Sequence, residues 1–188
     1  MRELLATYFV YAHNPAAGIK KLVQRRSFRQ ACVGYFVAAL GWVVFFNTGD
    51  DLSLFTLGLK GLLVFAAEVT AGYFMAALCG LFLDLRRVKV SAAQLFVLLG
   101  SAGFIKALLI AFALIAAAWP QPSVRGVAPF WVLFVWVLQL VYLVRGLKRT
   151  WKVGTAEAVG AWLFGFVPVG VLFGLVGIFL VWGLILLF

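Results

Sequence analysis

Five long apolar runs, parted by short polar or basic stretches, make up most of the chain. They cover residues 28–46, 54–83, 91–119, 130–144 and 155–188. A helix of about twenty apolar residues satisfies its own backbone polar groups and matches a hydrocarbon core of about 30 Å. The pattern predicts an all-α fold: a polytopic integral membrane bundle of five transmembrane helices over residues 30–188. Ser27 with Gln30, and Ser91 with Gln94, have the spacing of a capping box, and Ser53 stands where it can cap the second run. The fifth run would reach about 51 Å as one straight helix, too long for the bilayer core. Pro168 near its middle predicts a break. Residues 155–167 are then expected to lie obliquely or at the interface, with a span following; if the helix merely kinks instead, Trp162 and Trp182 mark the two interfaces. Gly170 and Gly174, with Gly177 about one turn further, predict a close helix-packing face in that span.

Ahead of the bundle the periodicity changes. Leu4, Leu5, Tyr8 and Tyr11 share one helical face in a segment too short to span, and Asn14-Pro15 has the form of a helix start. In residues 15–26 the apolar Ile19, Leu22 and Val23 alternate with Lys20, Lys21, Arg25 and Arg26. Residues 1–29 therefore form an interfacial segment of amphipathic helices, its basic face set against anionic lipid.

Charge adds an orientation. The chain is 65% hydrophobic and 12% charged, which excludes a soluble domain with a buried core. Its formal net charge of +10 sits in short clusters between apolar runs rather than on a basic-aromatic surface. Anionic lipid fits that arrangement, and nucleic acid does not. The amino-terminal segment, the turn holding Arg86, Arg87 and Lys89, and the turn holding Arg145, Lys148, Arg149 and Lys152 all belong to one side. The opposite loops hold only Arg125, with Asp50 and Asp51. The asymmetry predicts a bacterial cytoplasmic-membrane protein with its amino terminus in the cytoplasm and its carboxyl terminus outside.

Two charges remain inside the apolar runs. Glu68 and Lys106 lie almost equally far back from the turn that joins the second and third runs, about 25–30 Å along antiparallel helices. Matched depth on a hairpin predicts an ion pair, which relieves most of the penalty that each charge carries alone. Lys60 is close enough to its helix end to snorkel. Gln139, Tyr142 and Arg145 recur at three-residue spacing and predict a polar stripe on the fourth span.

No catalytic centre follows from these residues. No glycine loop precedes Lys-Ser or Lys-Thr, and His13 is the single histidine. Cys32 and Cys79 both lie in apolar runs and read as packing residues. No cofactor, no metal and no enzymatic activity are expected. The pattern favours an accessory or scaffold protein that binds another membrane protein or complex and anionic lipid. In it, Glu68 and Lys106 lock the hairpin. The alternative is a small transporter or channel whose polar path runs past Glu68 and Lys106.

The layout resembles the bacterial branch of the Yip (Ypt-interacting protein) family. Asn14-Pro15 before a basic amphipathic helix, five spans, Arg145-Gly146-Leu147 at the exit of the fourth, and a small-residue helix interrupted at Pro168 carry the resemblance. It implies an all-helical integral membrane protein with a cytoplasmic amino terminus. The long cytoplasmic tail of the eukaryotic relatives is missing here, so their contact with small GTPases is not carried over.

Overall fold

A computed structural model describes residue 23 and residues 27–48, 53–119, 121 and 126–187, with side chains through residue 179. Lys20, Lys21, Arg25 and Arg26 lie outside the described residues. All regular structure among the described residues is helical: α1 (Phe28–Phe46), α2 (Leu54–Leu85), α3 (Ala92–Ala102), α4 (Ala107–Ala118), α5 (Ala128–Trp151) and α6 (Thr155–Leu187). A single 3-10 turn, Gly103–Lys106, joins α3 to α4 into one span, Ala92–Ala118. Five spans result, each long and apolar enough to cross a membrane, and they mark an integral membrane protein. The turns after α2 and α5 define a basic end of the bundle, and Asn47 and Ser53 mark the opposite end.

The helix starts follow local chemistry in two cases of three. Ser53 Oγ accepts from Thr56 N–H at 3.2 Å, and Ser91 N–H donates to Gln94 Oε1 at 3.4 Å. Ser27 makes no side-chain cap, and the Gln30 side chain is buried. At the basic end α2 and α5 stop on residues in left-handed geometry, Arg87 (φ 62°) and Lys152 (φ 57°). Val88 N–H then donates back to Leu83 O at 2.9 Å, which satisfies one of the last carbonyls of α2. The fourth span continues well past residue 144, so Lys148 and Arg149 form the last turn of α5 rather than a loop.

Two expectations about the fifth span are corrected. Residues 155–167 are not a separate interfacial piece, because α6 runs unbroken through Pro168. Proline removes one hydrogen bond, to the carbonyl of Phe164, whereas ending a helix in hydrocarbon would strand several. Ala158, Ala161, Gly165 and Val169 are buried, which seats this half of α6 in the bundle. The second correction concerns Gly170, Gly174 and Gly177. Among the described residues no heavy atom of a neighbouring helix lies within 4 Å of where a Cβ would stand at any of them, so none of the described helices packs on them.

Glycine packing occurs elsewhere, between α1 and the third span. A methyl on Gly34 would collide with the Gly100 carbonyl, and one on Gly41 with the Lys106 carbonyl. A Cβ on Gly100 would sit 2.8 Å from the Cα of Ala31, and one on Gly103 would meet the Gly34 carbonyl. These two helices touch backbone to backbone, the closest approach that small residues permit. Gly165 of α6 makes a further close approach, to Cys79 Sγ and the Met75 carbonyl of α2. Cys79, Leu83, Leu95, Leu98, Leu143 and Leu147, with Ala158 and Ala161, form one buried cluster toward the basic end. Val23 is fully buried in that same cluster. This one position of the 15–26 apolar face therefore covers the bundle's own core rather than lipid.

Candidate functional site: an intramembrane cavity at Glu68 and Lys106

Antiparallel packing of α2 on the third span brings the two isolated charges together. Lys106 Nζ donates to Glu68 Oε1 at 2.5 Å, with side chains only 10% and 19% exposed. A third residue joins them from α1: Trp42 Nε1–H donates to the same Oε1 at 2.9 Å. The Trp42 ring also lies under the Lys106 ammonium, 5.4 Å from centroid to Nζ, so it serves both charges. The 3-10 turn at Gly103–Lys106 sits beside the glycine contacts with α1. Lys106 is the last residue of that turn.

The pair does not close the space around it. A cavity of about 410 Å³ lies among α2, the third span, α5 and α6, and both Glu68 and Lys106 line it. One wall is the face of α2 bearing Val64, Ala67, Ala71 and Met75, at helical three- to four-residue spacing. Opposite stand the aromatic side chains of α5 and α6. Trp136 meets Phe166 edge-on at 5.1 Å, and Trp162 stacks on Phe166 at 4.7 Å. Toward the basic end the lining runs into the buried cluster through Leu143 and Leu99. Toward the other end it reaches Gly170 and Phe173, which are exposed. The cavity is thus bounded by packed side chains toward the basic end and bordered elsewhere by exposed residues of the spans.

Its hydrogen-bonding capacity is only partly used. Among the described residues no donor reaches Glu68 Oε2, since both bonds to this carboxylate end on Oε1. Gln139 lines the cavity, and no hydrogen bond to its amide is found among the described residues. Tyr35 also lines it, but its hydroxyl is engaged, donating to Phe96 O at 3.2 Å.

The structure separates the expected polar stripe on the fourth span. Gln139 faces the cavity, and the Tyr142 hydroxyl lies 3.4 Å from Ser101 Oγ. Arg145 is exposed at the surface. Three-residue spacing advances 300° around a helix, so three such residues drift across the face rather than stack on it. Lys60 does not simply snorkel, for its Nζ donates to Asn47 Oδ1 at 2.6 Å and ties α2 to the end of α1. Trp42 and the aromatic wall escaped the sequence reading, although a signal existed. Trp42, Trp136 and Trp162 stand several residues inside their spans, where tryptophan is less usual than at the interface.

In comparisons with known proteins, the chain matches no family model, no curated protein and no solved structure.

Proposed function

We propose that this chain binds a small molecule inside the bilayer, in the cavity at Glu68 and Lys106, as the site of a small carrier. One observation carries this reading. An apolar, aromatic-walled cavity of about 410 Å³ has a carboxylate, an ammonium and an amide without a partner among the described residues converging on it within membrane-spanning helices. Small-molecule sites have this build: roughly 300–1,000 Å³, mostly apolar, with a few placed polar groups. A lock alone needs the ion pair but not the space beside it. A continuous channel is disfavoured, since the basic-end half of the bundle is packed shut. The basic end is read as cytoplasmic, against anionic lipid of a bacterial inner membrane, so the closed side of the cavity faces inward. The resemblance to the bacterial Yip branch is compatible with this reading and supplies no activity.

Water separates a binding site of this kind from a groove filled by lipid tails. In a Cys32→Ser background, Gln139→Cys should react with the uncharged hydroxyethyl methanethiosulfonate, because the reaction needs a hydrated thiolate. Val137→Cys, from a residue half exposed on the surface of the same helix, should not react. Equal inertness at both positions would sink the reading.

A second reading has its own observation. Beyond Val169, every described residue of α6 through Phe179 is exposed. An accessory role, with another membrane protein packing on Gly170, Gly174 and Gly177, would use that helix. Recovery of a stoichiometric partner in mild detergent, lost on Gly174→Leu, would support it. Unchanged recovery would count against it.

A further inference from the structure

We infer that the cavity selects an uncharged molecule with an aromatic body and a head group that both donates and accepts hydrogen bonds. The inference rests on the reading of the cavity as a binding site and names the ligand class for it.

Charge balance is the first argument. Glu68 and Lys106 neutralise one another, and no other charged side chain among the described residues lines the cavity. A ligand ion entering this space would bring one net charge into a low-dielectric site with no counter-charge left over. The desolvation of that ion exceeds what a hydrogen bond returns. A net-neutral guest avoids the penalty.

The polar inventory gives the second argument. Glu68 Oε2 is an acceptor without a donor among the described residues, and Lys106 keeps two further N–H groups after its bond to Oε1. Gln139 contributes both an N–H₂ and a carbonyl oxygen. The site therefore offers donors and acceptors at one place, which a hydroxyl or primary amide head satisfies in both directions. A head that only accepts would leave Oε2 unmet.

The walls supply the body. The small residues Ala67 and Ala71 face an aromatic surface built from Trp136, Trp162 and Phe166. Ring against ring adds to what area burial alone provides.

A matched series with one body and three heads tests this: phenylpropanol, phenylpropylammonium and phenylpropanoate. Each is titrated by calorimetry into the full chain in nanodiscs, with empty nanodiscs of the same lipid subtracted. Phenylpropanol should bind saturably, at least about ten-fold tighter than either ion, since tenfold corresponds to about 1.4 kcal/mol. Lys106→Met should shift the preference to the ammonium, and Glu68→Gln should shift it to the carboxylate. Gln139→Leu leaves the ion pair untouched. It should weaken phenylpropanol about three- to ten-fold, the loss of one hydrogen bond. An ion that binds wild type as tightly as the alcohol overturns the charge argument while leaving the cavity as a binding site. Unchanged affinity in Gln139→Leu removes the head group from its assigned place. Saturable binding by none of the three refutes the cavity reading itself, and the ligand class with it.

Discussion

Neutralising Glu68 and Lys106 together should harm the bundle no more than neutralising either one, and far less than the sum of the two. Lys106 is 10% exposed and Glu68 19%, at 2.5 Å, so each single change leaves a mostly buried charge without its partner. Breaking a buried pair costs about 3–5 kcal/mol. Two features of this site place both losses at the lower end. After Glu68→Gln, the amide oxygen can still accept from Trp42, and the ammonium keeps the Trp42 ring at 5.4 Å. After Lys106→Met, the carboxylate keeps the Trp42 N–H and borders the cavity. About 3 kcal/mol is expected for each single variant, which at about 2–4 °C per kcal/mol corresponds to roughly 6–12 °C in Tm for a chain of this length. The double variant loses no charge balance and should also cost about 3 kcal/mol, not 6. The coupling of about 3 kcal/mol is at the upper end for residues in contact. Thermal unfolding of all four proteins in one detergent, followed by circular dichroism, measures it. Additive losses would show that the two side chains do not interact, and the charge argument for the ligand would fall too.

Three further outcomes follow from the same structure. Gly34→Val or Gly100→Val should prevent folding or cost more than about 3 kcal/mol, because the added carbons meet helix backbone that cannot move aside; Gly174→Ala and Gly177→Ala should leave Tm unchanged. Trp42→Phe removes one hydrogen bond to a charged acceptor and should lower stability by about 1.5–3 kcal/mol by the same unfolding measurement. For orientation, Asp50→Cys should label with an impermeant thiol reagent outside intact cells while Arg87→Cys should not, and the reverse pattern would invert the bundle.

The spans were legible because hydrocarbon imposes one rule on every residue of a run, and local sequence is enough to meet it. The ion pair was legible for a related reason: a tight turn fixes the register of a hairpin, so Glu68 and Lys106 had to lie at one depth. What depends on how non-consecutive helices face each other was not legible. Gly34 and Gly41 against Gly100 and Gly103 carry no better spacing signal than Gly170, Gly174 and Gly177, yet only the first group meets a neighbour. Which glycines pack is decided by the rotation of whole helices, and periodicity does not report it. The cavity is similar. It exists because α2 and α5 are held apart by the third span and α6 around it, with Ala67 and Ala71 on one side and tryptophan on the other. Pro168 misled for a local reason: the rule that proline ends a helix presumes water to receive the freed carbonyls.

The bond from Trp42 to Glu68 also bears on how the chain enters the membrane. Synthesis proceeds from the amino terminus, so α1 is available first, α2 brings its carboxylate next, and the ammonium arrives only with the third span. For that interval Glu68 is a charge in hydrocarbon, at an insertion cost of about 2.5–3.5 kcal/mol near the centre of a helix. Trp42 Nε1–H is already there to meet it. When the third span follows, Lys106 enters beside a carboxylate and an indole face held in position, so its own transfer is assisted from the start. The order of the first three spans along the chain thus gives the indole the place of a stand-in partner for Glu68 until Lys106 arrives.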